Sequence, residues 1–79
     1  MVEKNVLLSN IEDVKDFCNI VSGYAFDTEL ASGKYIVNAK SIMGIFSLDL
    51  TCPLKMVAHC EENDPMIGEV EKYFFTEEK

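Results

Sequence analysis

The sequence contains no arginine and no tryptophan, and it has only one histidine, His59. Its seven lysines stand against fourteen acidic residues, which gives a net charge of −7. Proteins bind nucleic acid largely by neutralising phosphates with cationic side chains, so this balance argues against a nucleic-acid partner. It is equally unfavourable at an anionic membrane surface. The composition therefore predicts neither nucleic acid nor a membrane as a binding partner.

Paired cysteines are missing too. Cys18, Cys52 and Cys60 are odd in number, fall on different predicted elements and form no Cys-x-x-Cys motif. This spacing suggests neither a disulfide framework nor a zinc site. The sequence also lacks a long apolar run and a signal-type N-terminus. We therefore expect a cytoplasmic protein with free thiols.

The residue patterns of common catalytic and cofactor sites are absent as well. There is no glycine-rich phosphate loop, no Ser-His-acid set and no metal-ligand spacing. The acidic residues Glu12, Asp13 and Asp16 are most simply interpreted as a solvated helix face and as charges near a helix N-terminus. We expect no enzyme activity, no cofactor and no bound metal.

Apolar patterning predicts a strand and then a long helix in the first third of the chain. The strand covers residues 2–8, and Ser9 and Glu12 then have the spacing of a capping box. Apolar residues recur at helical spacing up to Gly23, where the helix should end. The predicted buried stripe is Ile11, Val14, Phe17, Cys18 and Val21.

The rest of the chain predicts a hairpin, a short helix, a fourth strand and a last helix. A turn at Ser32 and Gly33 joins the two hairpin strands. The short helix follows Ser41 and ends near residues 49–53, and the last helix is capped by Asp64 and begins at Pro65. Residues 76–79 are expected to fray. Alternating residues that share one face of the fourth strand are Leu54, Met56, Ala58 and Cys60, with His59 on the solvent-facing side.

The predicted order is βαββαβα over residues 1–79, which we interpret as a single domain. An α+β open-faced two-layer sandwich satisfies this order, with a four-stranded antiparallel sheet and its helices on one face.

The segment around Ser41 carries the strongest functional signal. Ser41 follows a β-branched run and precedes an apolar one, as a helix N-cap does. Ile42, Ile45 and Leu48 share one helical stripe, while Met43 and Phe46 form a second. A core needs only one stripe, so the second is either buried as well or available to a partner.

This segment resembles the regulatory-serine segment of the histidine-containing phosphocarrier protein (HPr) family of the bacterial sugar phosphotransferase system. Residues 40–44 read Lys-Ser-Ile-Met-Gly, Ser47 and Leu48 follow, and Gly-Lys at 33–34 and Val-Asn at 37–38 have the family's spacing. The resemblance implies the HPr fold. It also implies that an ATP-dependent kinase phosphorylates Ser41 and that partners dock on Ile42, Met43 and Phe46. A helix N-terminus suits a phosphate.

The carrier histidine of the family has no counterpart here. That histidine lies at the start of the first helix, in the pattern Ile-His-Ala-Arg-Pro. Counting back from Ser41 puts the histidine position on Asn10 and the arginine position on Glu12, and aligning on Ile11 gives Glu12 and Val14 instead. A phosphoryl carrier needs a nucleophilic imidazole and cationic or N–H donors, which neither alignment supplies.

We therefore expect an HPr-like regulatory or binding protein whose partners are a serine kinase and phosphotransferase-system or regulatory proteins. Two alternatives stay open. The chain is a phosphocarrier with a changed acceptor, or it is a structural protein-interaction domain in which Ser41 is only a cap.

Overall fold

The computed structural model describes residues 1–75. Residues 76–79, where fraying was expected, lie outside the described residues. The elements, in chain order, are β1 (Val2–Val6), α1 (Ile11–Ser22), β2 (Thr28–Ser32), β3 (Tyr35–Asn38), α2 (Ile42–Phe46), β4 (Leu54–Ala58) and α3 (Pro65–Val70), which a 3₁₀ turn (Glu71–Tyr73) follows.

The four strands form one antiparallel sheet in the order β1-β4-β2-β3. Val2 pairs with Ala58 of β4, and Leu30 pairs both with Met56 of β4 and with Val37 of β3. This arrangement confirms the predicted α+β open-faced sandwich. No helix within residues 1–75 is both long enough and apolar enough to span a bilayer.

The core lies between the inner face of the sheet and the three helices. Buried residues alternate with more accessible ones along β4, where Leu54, Met56 and Ala58 face inward. From α1 the core takes Val14, Phe17, Cys18 and Val21, as predicted. Ile11 was predicted to join this stripe, but its side chain is 59% exposed. It is the first residue of α1, so it lies at the open end of the stripe.

Several boundaries differ from the sequence prediction by a few residues. β1 ends at Val6, two residues early, because the N–H of Leu7 donates to the Tyr73 carbonyl instead (2.8 Å). The hairpin turn lies at residues 33–34, with Ser32 still paired to Tyr35. Gly33 has a φ of +61°, which a glycine adopts without strain. α2 ends at Phe46, before the predicted end, because Ser47 caps it.

Thr28 carries the one buried side-chain polar atom without a hydrogen-bond partner among residues 1–75, its Oγ1. Its side chain is fully buried on β2. We expect Thr28→Val, which keeps the shape and removes the hydroxyl, to raise the free energy of unfolding by about 1–2 kcal/mol. Urea unfolding with an unchanged m-value would measure this gain.

The exposed Thr51 provides the control, because its hydroxyl already donates to Asp49. Thr51→Val should give no gain. A loss of stability in Thr28→Val would contradict the prediction, since it would mean that the hydroxyl makes a favourable interaction.

Candidate functional site

Ser41 is the N-cap of α2, as predicted. Its backbone is extended (φ −100°, ψ 105°), and its Oγ accepts a hydrogen bond from the N–H of Gly44 at 3.2 Å. The carbonyl of Ser41 accepts from the N–H of Ile45 at 3.0 Å. The side chain is exposed. The hydroxyl is therefore fixed at the start of α2 and accessible from solvent.

Lys40, which precedes the cap, is tied to two distant parts of the chain. Its Nζ donates to the carbonyl of Tyr24 at 2.7 Å, and its own carbonyl accepts from the thiol of Cys18 at 3.4 Å. Sequence reasoning missed the contacts of Cys18 and Tyr24 with Lys40, because no local pattern links these residues. These bonds hold the start of α2 against α1 and the loop after it.

The two stripes of α2 lie in different environments. Ile45 and Leu48 are buried, and Ile42 is half-buried against the core. Met43 is 75% exposed and Phe46 is 38% exposed. The second stripe is therefore open to solvent beside Ser41, and it has the residue types that are common in protein interfaces.

Gly44 lets α2 approach β3 closely. A Cβ at this position would lie 3.2 Å from the Cβ of Val37 and 3.3 Å from the Oγ of Ser41. Both distances are shorter than ordinary van der Waals contact. A side chain here would press on both the Val37 side chain of β3 and the serine cap.

The resemblance assigns the family's carrier site to the start of α1. Asn10, not Ser9, is the N-cap, and its Oδ1 accepts from the N–H of Asp13 at 2.8 Å. The Asp13 carboxylate in turn accepts from the N–H of Ser9 at 3.2 Å. The predicted capping box of Ser9 and Glu12 was therefore wrong by one residue, because asparagine caps as well as serine.

The same helix end has an acidic character. Glu12 is exposed in the first turn, next to the half-buried Asp13. These residues place negative charge beside N–H groups that would otherwise attract an anion. Asn10 and Glu12 do lie at the helix start, where the resemblance puts the carrier site.

One turn further along α1, Asp16 connects the helix to the chain end. The hydroxyl of Tyr73 donates to its Oδ2, and Nζ of Lys72 lies 3.1 Å from the same oxygen. The Tyr73 hydrogen bond, together with Lys72, lowers the pKa of Asp16. Burial and the neighbouring Asp16 raise the pKa of Tyr73.

His59, Cys52 and Cys60 take part in none of these contacts, whereas the Cys18 thiol bonds to Lys40. His59 is exposed, as predicted, but it lies just after β4 and not within the strand, because β4 ends at Ala58. Its Nε2 is 4.0 Å from Oε1 of Glu29. Cys18 is buried, Cys52 is exposed and Cys60 is half-buried, and all three are free thiols. Over residues 1–75, no group of three or more potential metal ligands comes together.

Gly44→Ala should not stabilise the chain, although alanine usually stabilises a helix relative to glycine. Replacing an interior helix glycine by alanine typically gains about 0.5–1 kcal/mol, but here the new methyl group would crowd Val37 and Ser41. The matched control is Gly68→Ala in α3, where a Cβ meets no atom within 4 Å. We expect Gly68→Ala to raise the urea midpoint and Gly44→Ala to leave it unchanged or lower it. Equal gains would contradict the close approach of α2 to β3.

Removing the Tyr73 hydroxyl should produce a stability loss that depends on pH. The folded-state pKa of Asp16 lies below its ordinary value of 3.8, so this stabilisation is complete above pH 3.8 and is lost as pH falls through the folded-state pKa. Tyr73→Phe should therefore be less stable than the parent chain at pH 7, with a smaller difference at the lowest pH where both fold. Urea unfolding across this range tests it. The control, Tyr35→Phe at an exposed site, should show no trend with pH.

Comparison with known proteins supports the fold assignment through structure alone. No family model matches the chain, and no curated protein sequence matches it. Among solved structures, HPr from Thermoanaerobacter tengcongensis superimposes with a TM-score of 0.73 and 25% sequence identity. The match covers 91% of this chain and 89% of that one. The chain therefore has an HPr-like fold over nearly its whole length.

Proposed function

We propose that this chain is an HPr-like regulatory or binding protein related to the sugar phosphotransferase system, with Ser41 as a phosphorylation switch. The observation that carries the proposal is the exposed serine cap beside an exposed apolar stripe, Met43 and Phe46, on an HPr-like fold. Its partners would be a serine kinase and a protein that binds this stripe. A protein with such partners would work in the bacterial cytoplasm.

A phosphate on Ser41 would act on the stripe through charge. It adds about 1.5–2 negative charges at neutral pH. The Ser41 oxygen already accepts from the Gly44 N–H, and no acidic residue lies in the first turn of α2 to repel the phosphate. Met43 and Phe46 follow on the same short helix. The modification would therefore create or block docking there without refolding the domain.

The start of α1 supports a regulator over a carrier. At the positions that the resemblance assigns to the carrier site, the chain has Asn10 and Glu12, with Asp13 beside them. A transferring phosphoryl group needs a nucleophile and positive or N–H donors, whereas these carboxylates would repel it. Asn10 also uses its side-chain oxygen to cap the helix.

The main alternative is a phosphocarrier with a changed acceptor, and the structural likeness to HPr favours it. In that case phosphoenolpyruvate and the first enzyme of the system would phosphorylate a residue other than a helix-start histidine. A third alternative is an interaction domain in which the Ser41 hydroxyl serves only as a cap, as its bond to Gly44 allows.

Intact-mass measurement separates these three functions. One sample is incubated with ATP and an HPr serine kinase, and the other with phosphoenolpyruvate and the first enzyme of the system. We expect one added phosphate in the kinase sample only. Ser41→Asn should abolish it while keeping the helix cap, because asparagine is an equally good N-cap without a hydroxyl.

Ser47→Ala is the matched control, since Ser47 is also exposed at an end of α2. The kinase should phosphorylate Ser47→Ala to the same extent as the parent chain. Labelling of Ser41→Asn would refute the switch, and labelling by phosphoenolpyruvate would favour the carrier alternative. A chain that neither sample modifies would favour the interaction domain.

A further inference from the structure

A groove of about 500 Å³ runs between β1 and α3. Its apolar lining includes Val2 from β1, Ile67 from α3 and Phe74 from the chain after the 3₁₀ turn. Val2 is buried, whereas Ile67 and Phe74 are only half-buried. A strand edge facing a helix across an apolar floor is the geometry in which peptides add as an extra strand.

Part of the β1 edge already accepts a strand from the chain itself. The N–H of Phe75 donates to the Asn5 carbonyl at 2.7 Å, and Leu7 donates to the Tyr73 carbonyl at 2.8 Å. Val6 and Phe74 form the antiparallel bridge between these bonds. The outer edge of β1 therefore has the geometry for strand pairing.

The other part of this edge remains open within residues 1–75. The N–H and C=O groups on one side of a strand repeat every second residue. Because the Asn5 carbonyl points outward, both backbone groups of Glu3 point outward too. β1 is an edge strand, and among the described residues only Phe74 bridges to its outer side. These groups are hydrogen-bonding sites for an extended peptide.

Gly68 gives the groove an open helical wall. It lines the groove from the interior of α3, and a Cβ there would meet no atom within 4 Å. Its φ is not positive, so neither backbone conformation nor close packing within the chain requires glycine. Glycine weakens a helix relative to alanine. Glycine at this position leaves the groove open along α3.

Charge indicates what kind of chain fits. The groove is lined by Glu62, Asp64 and Glu71, against a single cation, Lys4. An acidic rim favours lysine or arginine in the bound segment. A second copy of this chain is a poor occupant, since it carries a net charge of −7.

We infer that the groove between β1 and α3 binds an extended basic and apolar peptide segment of a partner protein, which adds as a strand beside Glu3. The floor of Val2, Ile67 and Phe74 takes its apolar side chains, and Glu62, Asp64 and Glu71 take its basic ones. This surface is independent of Ser41, Met43 and Phe46.

A ¹⁵N NMR titration tests the assignment on the full chain. The probe is the capped hexapeptide Lys-Ser-Val-Ser-Lys-Ser, whose lysines and valine share one face of an extended strand. We expect the amide signals of Glu3 and Gly68 to shift, with those of Ser41 and Met43 unchanged. The same peptide with glutamate for lysine, and a version N-methylated at every backbone nitrogen, should bind much more weakly.

A variant that fills the groove gives the second readout. Gly68→Leu should weaken peptide binding by about tenfold or more, equivalent to about 1.4 kcal/mol. Its thermal midpoint should not fall, because leucine favours helix over glycine. Asn19→Leu adds the same side chain at an exposed position of α1 outside the groove, and it should leave binding unchanged.

Three results would overturn the inference. They are no shift at Glu3, equal binding of the glutamate peptide, or undiminished binding to Gly68→Leu. A fourth would reassign the occupant: if a chain ending at Phe75 binds the peptide and the full chain does not, residues 76–79 fill the groove and no partner does.

Discussion

The four-stranded sheet has helices on one face only, and this constraint governs where nearly every apolar side chain lies. Along each strand alternate residues point inward, so Leu30 of β2 and Met56 of β4 are removed from water only if helices cover them. α1 supplies most of the cover through Val14, Phe17 and Val21. α2 and α3 flank α1 and close the two ends of the layer. Two surfaces are proposed for partners, the stripe of Met43 and Phe46 and the groove beside β1. Both lie at the margin of this helical layer.

The features that the sequence predicted correctly are those with a local physical cause. The alternation of apolar and polar residues identifies β4. Asp64 followed by Pro65 marks the start of α3, because aspartate suits the N-cap and proline suits the first helical turn. Ser41 was predicted as a cap for the same kind of reason, and its bond to Gly44 confirms it. Together these local signals fixed the order of elements, and the order restricts the fold to very few architectures.

The features that could not be predicted depend on competition between similar groups or on contacts across the chain. Ser9 and Asn10 are both good N-caps, and no local pattern favours one over the other. In the structure Asn10 is the cap and Ile11 is the first helical residue. The bonds of Lys40 to Tyr24 and of Tyr73 to Asp16 join residues with no pattern in common. The exposure of Met43 also depends on how α2 packs against the rest of the chain, which no local pattern reveals.

The strand order has a consequence for how the chain is made. Of the four strands within residues 1–75, β4 leaves the ribosome after the other three. It nevertheless lies between β1 and β2, and its Ala58 pairs with Val2. Until β4 emerges, β1 has no neighbour, and only local units such as α1 and the β2–β3 hairpin can form. Closing so long a loop costs chain entropy before it yields any packing. The nascent chain therefore joins β1 to the β2–β3 hairpin only in a late step, and the groove beside β1 exists only after that step.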